Sequence, residues 1–184
     1  MPEAVIVVPY DADWPSQFER ECAILSMVFS GTDAVIEHVG STAVPGLGAK
    51  PVIDILVGLS RVADAESRIS QLGAQGYEYV RQYEAQLPDR RYYRKPRFGP
   101  RAYHLHCVVR GGDFWIRHIA FRDYLRAHPE SAAAYFELKR ELAAHCGKGA
   151  YTEAKSPFIE DVLSRALSGG HQRTAQQRVA PDGR

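Results

Sequence analysis

The sequence has few cysteines, no long apolar run and almost no net charge. Its three cysteines are widely spaced and include no C-x-x-C pair, which argues against a disulfide framework and a four-thiolate zinc site. With 23 Lys and Arg against 22 Asp and Glu, the formal charge of +1 provides no global field that would hold nucleic acid or an anionic membrane. No apolar stretch approaches the ~18 residues needed to span a bilayer, and the N-terminus lacks a signal-peptide pattern. We therefore expect a cytoplasmic protein without a membrane partner, for which nucleic acid is not the expected ligand.

The length and composition favour one folded domain. The 184 residues are 45% hydrophobic, which is enough for a single sizeable core. Residues 169–184 contain almost no apolar side chains. We therefore expect a single domain over residues 1–168, followed by a disordered tail over residues 169–184.

Apolar runs alternate with amphipathic segments, and this order predicts an α/β (α+β) fold. The predicted strands cover residues 5–8, 34–39, 51–59, 77–80, 91–98 and 102–109, the last two forming a hairpin. The predicted helices cover residues 13–30 and 62–74 and three segments of the C-terminal third, which begin at residues 114, 129 and 156. We expect the second, third and last of these strands to share one sheet, against which the helices pack.

A glycine-rich turn lies between two of the predicted strands. Residues 40–48 (GSTAVPGLG) have a composition suited to a loop, and Asp54 interrupts the otherwise apolar run PVIDILVGL. Glycine lets a backbone approach a phosphate closely, the Ser41 hydroxyl can donate to phosphate oxygens, and Asp54 can hold the Mg²⁺ that a triphosphate brings. The same spacing suits a tight connection in which Asp54 caps a neighbouring backbone, so the pattern alone leaves both interpretations open.

Two histidines, His104 and His106, alternate along the last predicted strand, and His38 precedes the glycine turn. Residues i and i+2 of a strand project from one face, so both side chains can converge on one ion or phosphate, with Asp54 facing the same cleft. Two or three imidazoles and a carboxylate suit Zn²⁺, Mn²⁺ or Fe²⁺ better than Mg²⁺. The alternative is that the histidines hydrogen-bond a substrate or the backbone.

A basic run lies between residues 90 and 101, where Lys and Arg are interleaved with aromatic residues. Such a run suits a nucleotide or a single-stranded nucleic acid, and it also suits a solvated edge hairpin whose charges block further pairing. We favour phosphate binding because the run borders the strand of His104. Four more cations lie on the predicted helices or, for Lys155, just before the last one, and they either reach the cleft or lie on solvated faces: Arg122, Arg126, Lys139 and Lys155.

The segment from residue 36 to residue 57, IEHVGSTAVPGLGAKPVIDILV, closely resembles the signature of the GrpB family. Later segments, YHLH at 103–106, FRDYLR at 121–126 and YTEAKSPF at 151–158, resemble further motifs of that family in the same order. The resemblance implies the nucleotidyltransferase-superfamily fold, a mixed sheet with packed helices and a helical C-terminal third. Members of the family are also found fused to dephospho-CoA kinase, which implies a partner enzyme.

Active nucleotidyltransferases follow a Gly-Ser turn with a strand that carries two acids one residue apart, and they take a third acid from a later strand. Two metals held by these acids clamp the attacking and leaving oxygens. In this sequence the turn and Asp54 match that pattern. Leu56 stands at the position of the second acid, and the later strand offers two histidines in place of the third.

The sequence supports two main hypotheses about the function of this protein. In the first, a nucleotidyltransferase-like protein binds a nucleotide or another phosphorylated small molecule and transfers or activates it with a divalent metal, either Mg²⁺ or a transition metal. In the second, a non-catalytic, nucleotide-responsive module binds or stabilises a partner enzyme; RNA binding through residues 90–101 is a third and weaker hypothesis. The candidate catalytic residues are Asp54, His104 and His106, the candidate ligand-binding residues are Gly40, Ser41, Thr42, Lys50, Arg94 and Lys139, and the candidate metal ligands are Asp54, His38, His104 and His106.

Overall fold

The structure, a computed structural model, describes residues 5–96, 100–145 and 147–176, apart from the side chains of residues 148 and 169–176. Its five strands are β1 (Val35–Val39), β2 (Ile53–Leu59), β3 (Glu78–Tyr79), β4 (Arg90–Lys95) and β5 (Tyr103–Val109). They form one mixed sheet in the order β1-β2-β5-β4-β3. β2 and β5 run parallel, whereas the other neighbouring pairs are antiparallel.

The helices surround this sheet. They are α1 (Trp14–Val28), α2 (Ala63–Glu66), α3 (Ile69–Ala74), α4 (Asp113–Ala127), α5 (Pro129–His145), α6 (Lys148–Ala154) and α7 (Ser156–Gln176). Two short 3₁₀ turns, Ser41–Ala43 and Arg81–Tyr83, follow β1 and β3. None of the described helices is long and apolar enough to cross a membrane.

The alternation of side chains along β2 divides the protein into two layers. Ile53, Ile55 and Val57 point to one face, where they form the main core with Trp14 and Leu25 of α1. Burial of such side chains contributes on the order of 1.5–3 kcal/mol each, so this face supplies most of the fold's stability. The residues between them, including Asp54, point to the opposite face.

The C-terminal helices pack beside that opposite face. α4 contacts α7, and a second apolar core joins the loop after β1 to α4, α5 and α7. Leu47, Leu125 and Tyr135 are among its buried members. Because this core lies to one side of the sheet, a cleft remains over the face that carries Asp54.

The predicted mixed α/β fold is confirmed, with the strands predicted over 34–39, 51–58 and 102–109 in one sheet. The predicted hairpin is also confirmed as the β4–β5 pair. The strand predicted over residues 5–8 is reduced to one bridge between Val8 and Ala49, and the helix predicted over 62–74 is divided into α2 and α3. The helix α6 was not among the predicted elements.

The expected boundary at residue 168 does not coincide with the end of a helix. The backbone of α7 continues to Gln176, whereas the composition predicts a disordered tail from residue 169. Residues 177–184 of that predicted tail lie outside the described residues.

Candidate functional site

Asp54 and His104 lie side by side on neighbouring parallel strands. They are register partners in β2 and β5, and the Nδ1 atom of His104 is 3.1 Å from Oδ1 of Asp54. Both side chains keep about a third of their surface exposed. Desolvation alone would raise the pKa of the Asp54 carboxyl, but the hydrogen bond with His104 and the nearby imidazoles hold that pKa below its usual value. Asp54 is therefore ionised at neutral pH.

Gly40 permits the placement of Asp54. Its φ of 71° lies in the left-handed region, and a Cβ atom at this position would lie 2.4 Å from Oδ2 of Asp54. We predicted that Gly40 would make room for a phosphate. The Asp54 carboxylate occupies the space next to Gly40, and Gly40 also lines a cavity over Asp54, so its contact with a phosphate stays a prediction.

His38, a predicted metal ligand, does not join Asp54. It is buried on the face that carries Ile55, where its ring stacks on Phe18 and its Nε2 lies 2.9 Å from the Thr42 hydroxyl. Burial lowers the pKa of His38 to about 4, so the ring is neutral at physiological pH. Strand alternation directs His38 away from the cleft. Its contact with the Thr42 hydroxyl holds the turn that follows β1.

Two arginines of α4 donate hydrogen bonds to the same turn. Arg122 donates to the carbonyl of His38 and to the carboxylate of Glu37, and Arg126 donates to the carbonyl of Ala43. Arg122 also pairs with the carboxylate of Asp123, so the partners of the two arginines are backbone oxygens and two carboxylates of this chain. Both residues therefore act in the structure of the turn, and neither lines the cavities over Asp54.

Three lysines converge on a cavity of about 320 Å³ above Asp54. Lys50, Lys139 and Lys155 line it together with Ser41 and other polar residues. Among the described residues that line it, Asp54 is the only acid. The cavity therefore holds more positive than negative charge, which is the electrostatic condition for binding an anion.

Lys139 is the most buried of these cations, with 2% of its surface exposed. It donates to the carbonyl of Gly48 and lies over the ring of Tyr135. Burial, and then the positive charge of Lys155, lower the pKa of Lys139 to about 7. Burial, and then the charge of Lys50, also lower the pKa of Lys155. The lysines thus repel one another, and an anion bound among them would relieve that repulsion.

A second cavity, of about 280 Å³, adjoins the first. It shares four lining residues with the lysine cavity: Ser41, Asp54, His106 and Lys155. The residues that line only this cavity include four apolar or aromatic side chains, Phe121, Tyr135, Ile159 and Leu163, together with Arg117 and His118. The cleft therefore has a lysine-rich part and a more apolar part, which meet at Asp54.

His106 lies at this junction as a member of an aromatic stack. Its ring contacts Tyr92, with ring centroids 5.0 Å apart, and Phe114, at 5.5 Å. Its Nδ1 lies 3.4 Å from Nη1 of Arg90. Burial lowers the pKa of His106 to about 3, which outweighs the opposing charge of Asp54. His106 is thus a neutral hydrogen-bonding group at physiological pH.

The basic run over residues 90–101 is largely compensated by carboxylates. Four ion pairs account for its described cations other than Arg90: Arg91–Glu66, Arg94–Glu78, Lys95–Glu21 and Arg101–Glu78. Arg94, a predicted ligand-binding residue, lines neither cavity over Asp54. Residue 97 lies outside the described residues. The predicted phosphate-binding surface of this run is therefore not brought into the cleft.

The described residues do not fit a resident metal ion. No group of three or more His, Cys, Asp or Glu side chains in the described part of the chain is arranged to hold one. Leu56, at the position of the second acid, is fully buried in apolar surroundings. Asp54 faces three lysines rather than a second carboxylate.

Lys155 and the aromatic side chains of the cleft could not be assigned to the site from the sequence pattern. Tyr151 lies within α6 and Lys155 is the residue that follows this helix, and Lys50 and Lys155 both lie over the Tyr151 ring. The segment YTEAKSPF, which contains Tyr151 and Lys155, was the available signal. Their approach to Asp54 depends on the packing of α6, which the sequence pattern did not predict.

Comparison with known proteins finds a matching family and several similar proteins. The model of the family described as "GrpB protein" matches residues 4–165. The chain is 37% identical to a UPF0157 protein of Pseudomonas aeruginosa, over 90% of this chain and 69% of that protein. It is 32% identical to the glutamate-rich protein GrpB of Alkalihalophilus pseudofirmus, over 87% of this chain and 94% of that protein.

One relative is a longer protein, and one is a solved structure. The chain is 32% identical to a dephospho-CoA kinase of Mycolicibacterium paratuberculosis, over 87% of this chain and 46% of that kinase. The crystal structure of the conserved protein GrpB from Enterococcus faecalis superposes with a TM-score of 0.81 at 37% identity, over 89% of this chain and 98% of that one. The chain therefore belongs to the GrpB family, also named UPF0157.

Proposed function

We propose that the cleft over Asp54 binds a phosphorylated small molecule, with its phosphate groups among Lys50, Lys139 and Lys155. The observation that carries this proposal is the excess of positive charge in one cavity, where three lysines, of which Lys139 is buried, face one carboxylate among the described lining residues. Holding like charges close together is unfavourable, so a site of this kind is best explained by an anion that neutralises the lysines. Lysine is a common ligand for phosphate.

A nucleotide is the favoured class of ligand because the cationic cavity adjoins an apolar one. Phe121, which is partly exposed, offers aromatic surface for a base, while the lysines receive the phosphates. Asp54 lies where the cavities meet and can accept a hydrogen bond from a ligand hydroxyl. The two volumes are on the scale of known small-molecule sites, which begin at about 300 Å³.

The proposal is tested by titrating the purified chain with ATP, ADP, AMP and inorganic pyrophosphate in a calorimeter. We expect pyrophosphate to bind, and ATP to bind more tightly because its base adds contacts in the apolar cavity. F121A should weaken ATP and leave pyrophosphate within about twofold, since Phe121 lines only the apolar cavity. Failure of all four compounds to bind would refute the proposal.

The same titrations with and without Mg²⁺ test the predicted divalent metal. Because Asp54 is the only acid among the described lining residues, a cation would have to arrive with the ligand. We expect pyrophosphate to bind without added metal, since the lysines supply the neutralising charge. Binding that requires Mg²⁺ and is abolished by D54N would instead support the metal site predicted from the sequence.

A second candidate function is a module that binds a partner enzyme. The observation that favours it is the similarity to less than half of a dephospho-CoA kinase, together with Leu56 in place of a second acid. This function predicts that the chain binds a separately produced dephospho-CoA kinase. Binding to that kinase without affinity for any of the four phosphate compounds would favour the module over the proposed small-molecule site.

A further inference from the structure

We infer that His104 and His106 are held in opposite tautomers, so that the cleft presents one base, His104, and one hydrogen-bond donor, His106, beside a bound phosphate group. The tautomers follow from hydrogen bonds alone. Their use in catalysis rests on the phosphate ligand proposed above.

The tautomer of His104 is set by Asp54. The contact joins Nδ1 of His104 to Oδ1 of Asp54 at 3.1 Å. An ionised carboxylate only accepts hydrogen bonds, so Nδ1 must carry the proton. In the neutral ring Nε2 then keeps its lone pair. His104 lines the lysine cavity and is partly exposed, so this lone pair is available as a base.

The tautomer of His106 is set by Arg90. The contact joins Nη1 of Arg90 to Nδ1 of His106 at 3.4 Å. A guanidinium has donors and no acceptor, so Nδ1 of His106 must supply the lone pair. The ring proton therefore lies on Nε2, and His106 lines both cavities of the cleft. His106 is thus a hydrogen-bond donor.

Arg90 is built into the structure as a positioning residue. Its guanidinium lies over the rings of Tyr83, Tyr92 and Phe114, at 5.8, 5.4 and 5.4 Å from the centroids. Two of these rings, Tyr92 and Phe114, also contact the ring of His106. The same aromatic residues therefore fix the cation and the imidazole that it orients.

This pair suits attack of a hydroxyl or water oxygen on a phosphoric anhydride. As the oxygen forms its bond to phosphorus, its proton passes to Nε2 of His104, and Asp54 stabilises the resulting imidazolium. The bond from phosphorus to the bridging oxygen breaks. The leaving phosphate keeps the electron pair and is neutralised by the lysines, while His106 donates to a phosphoryl oxygen.

The tautomers can be determined from long-range ¹H–¹⁵N correlation spectra of the ¹⁵N-labelled full chain. Spectra are recorded at about pH 8, where an unperturbed imidazole is neutral, and the rings are assigned by the loss of their signals in H104Q and H106Q. We expect protonated Nδ1 and bare Nε2 in His104, and the reverse in His106. Both rings protonated on the same nitrogen would overturn the inference.

Two matched variants test the role of Arg90. R90M removes the donor to His106, so His106 should change to a mixture of tautomers while His104 is unaffected. R91M is the control, because Arg91 is the next residue of β4, lies on the opposite face and pairs with Glu66. A single unchanged His106 tautomer in R90M would overturn the positioning role. If R90M does not fold, the wild-type spectrum still decides the tautomers.

Addition of pyrophosphate to the same samples separates the inference from the proposed function. Opposite tautomers with shifts of both rings on addition of pyrophosphate support the base and donor roles. Opposite tautomers without any pyrophosphate binding refute the phosphate site and with it the catalytic roles. Pyrophosphate binding with identical tautomers refutes the inference and leaves the site in place.

Discussion

The carboxylate of Asp54 lies in the space that a side chain at residue 40 would occupy. A Cβ atom on Gly40 would stand 2.4 Å from Oδ2 of Asp54, closer than any stable contact. The glycine turn and the acid on the next strand are therefore one structural unit.

This relationship predicts that G40A is strongly destabilising. Gly40 and Gly46 both have φ near +75°, at 71° and 78°, but a Cβ on Gly46 meets nothing within 4 Å. G46A should cost about 1–2 kcal/mol of unfolding free energy from backbone strain alone. G40A should cost about 1–3 kcal/mol more, because Asp54 must move and because the φ of 71° and ψ of −170° at Gly40 suit glycine almost alone. Equal costs in urea denaturation would contradict the placement of Asp54.

The sequence predicted the part of the site that depends on strand alternation. His104 and His106 were expected on one face, and the structure places both on the cleft side of β5. The pairing of Asp54 with His104 depends on the register of parallel strands that are far apart in sequence. Only the folded sheet fixes that register, so the sequence could suggest the pair but not the hydrogen bond.

His38 shows where reasoning from the sequence failed. It was expected beside Asp54, but Val39 is the register partner of Asp54, so His38 points to the other face. A shift of one residue reverses the direction of every side chain in a strand, and nothing in the local pattern fixes it. The lysine cluster was incompletely predicted for a related reason, because Lys155 reaches the cleft through the packing of an unpredicted helix.

The burial of His38 predicts a specific acid sensitivity. The pKa of His38 is lowered to about 4 in the folded state from 6.5, so the unfolded chain binds the proton more tightly. Stability is therefore lost as the pH falls from 6.5 towards 4, by at most about 3 kcal/mol from this residue. H38Q should reduce this pH dependence in urea unfolding, whereas the exposed-site control H145Q should retain it. An unchanged pH dependence in H38Q would contradict the buried neutral ring.

The lowered pKa of Lys139 predicts how anion binding depends on pH. Its pKa of about 7 means that it loses its charge as the pH rises through neutrality. The affinity for sulfate, whose own charge is constant in this range, should fall about tenfold between about pH 6 and pH 9. K139M should bind sulfate weakly at both values and show a smaller pH dependence. A wild-type affinity that rises with pH would contradict the role of Lys139.

The composition of residues 169–184 predicts that they can be removed without loss of stability. Residues 169–184 contain few apolar side chains and can bury little surface. Removing every residue after Ser168 should therefore change the Tm by no more than about 2 °C, on a scale where 1 kcal/mol shifts it by several degrees. A larger drop in a thermal melt would show that these residues stabilise the domain.

Phosphate binding by the lysines of the cleft over Asp54 can be measured as the calorimetric affinity of pyrophosphate for the wild type, K155M and R140M. Lys155 lines both cavities, whereas Arg140 follows Lys139 on α5 and is exposed, so R140M removes a nearby charge without touching the site. We expect K155M to bind about 10- to 100-fold more weakly and R140M to stay within about twofold, as loss of one charged hydrogen bond requires. Equal affinities in all three proteins, or no binding to the wild type, would show that these lysines do not bind phosphate.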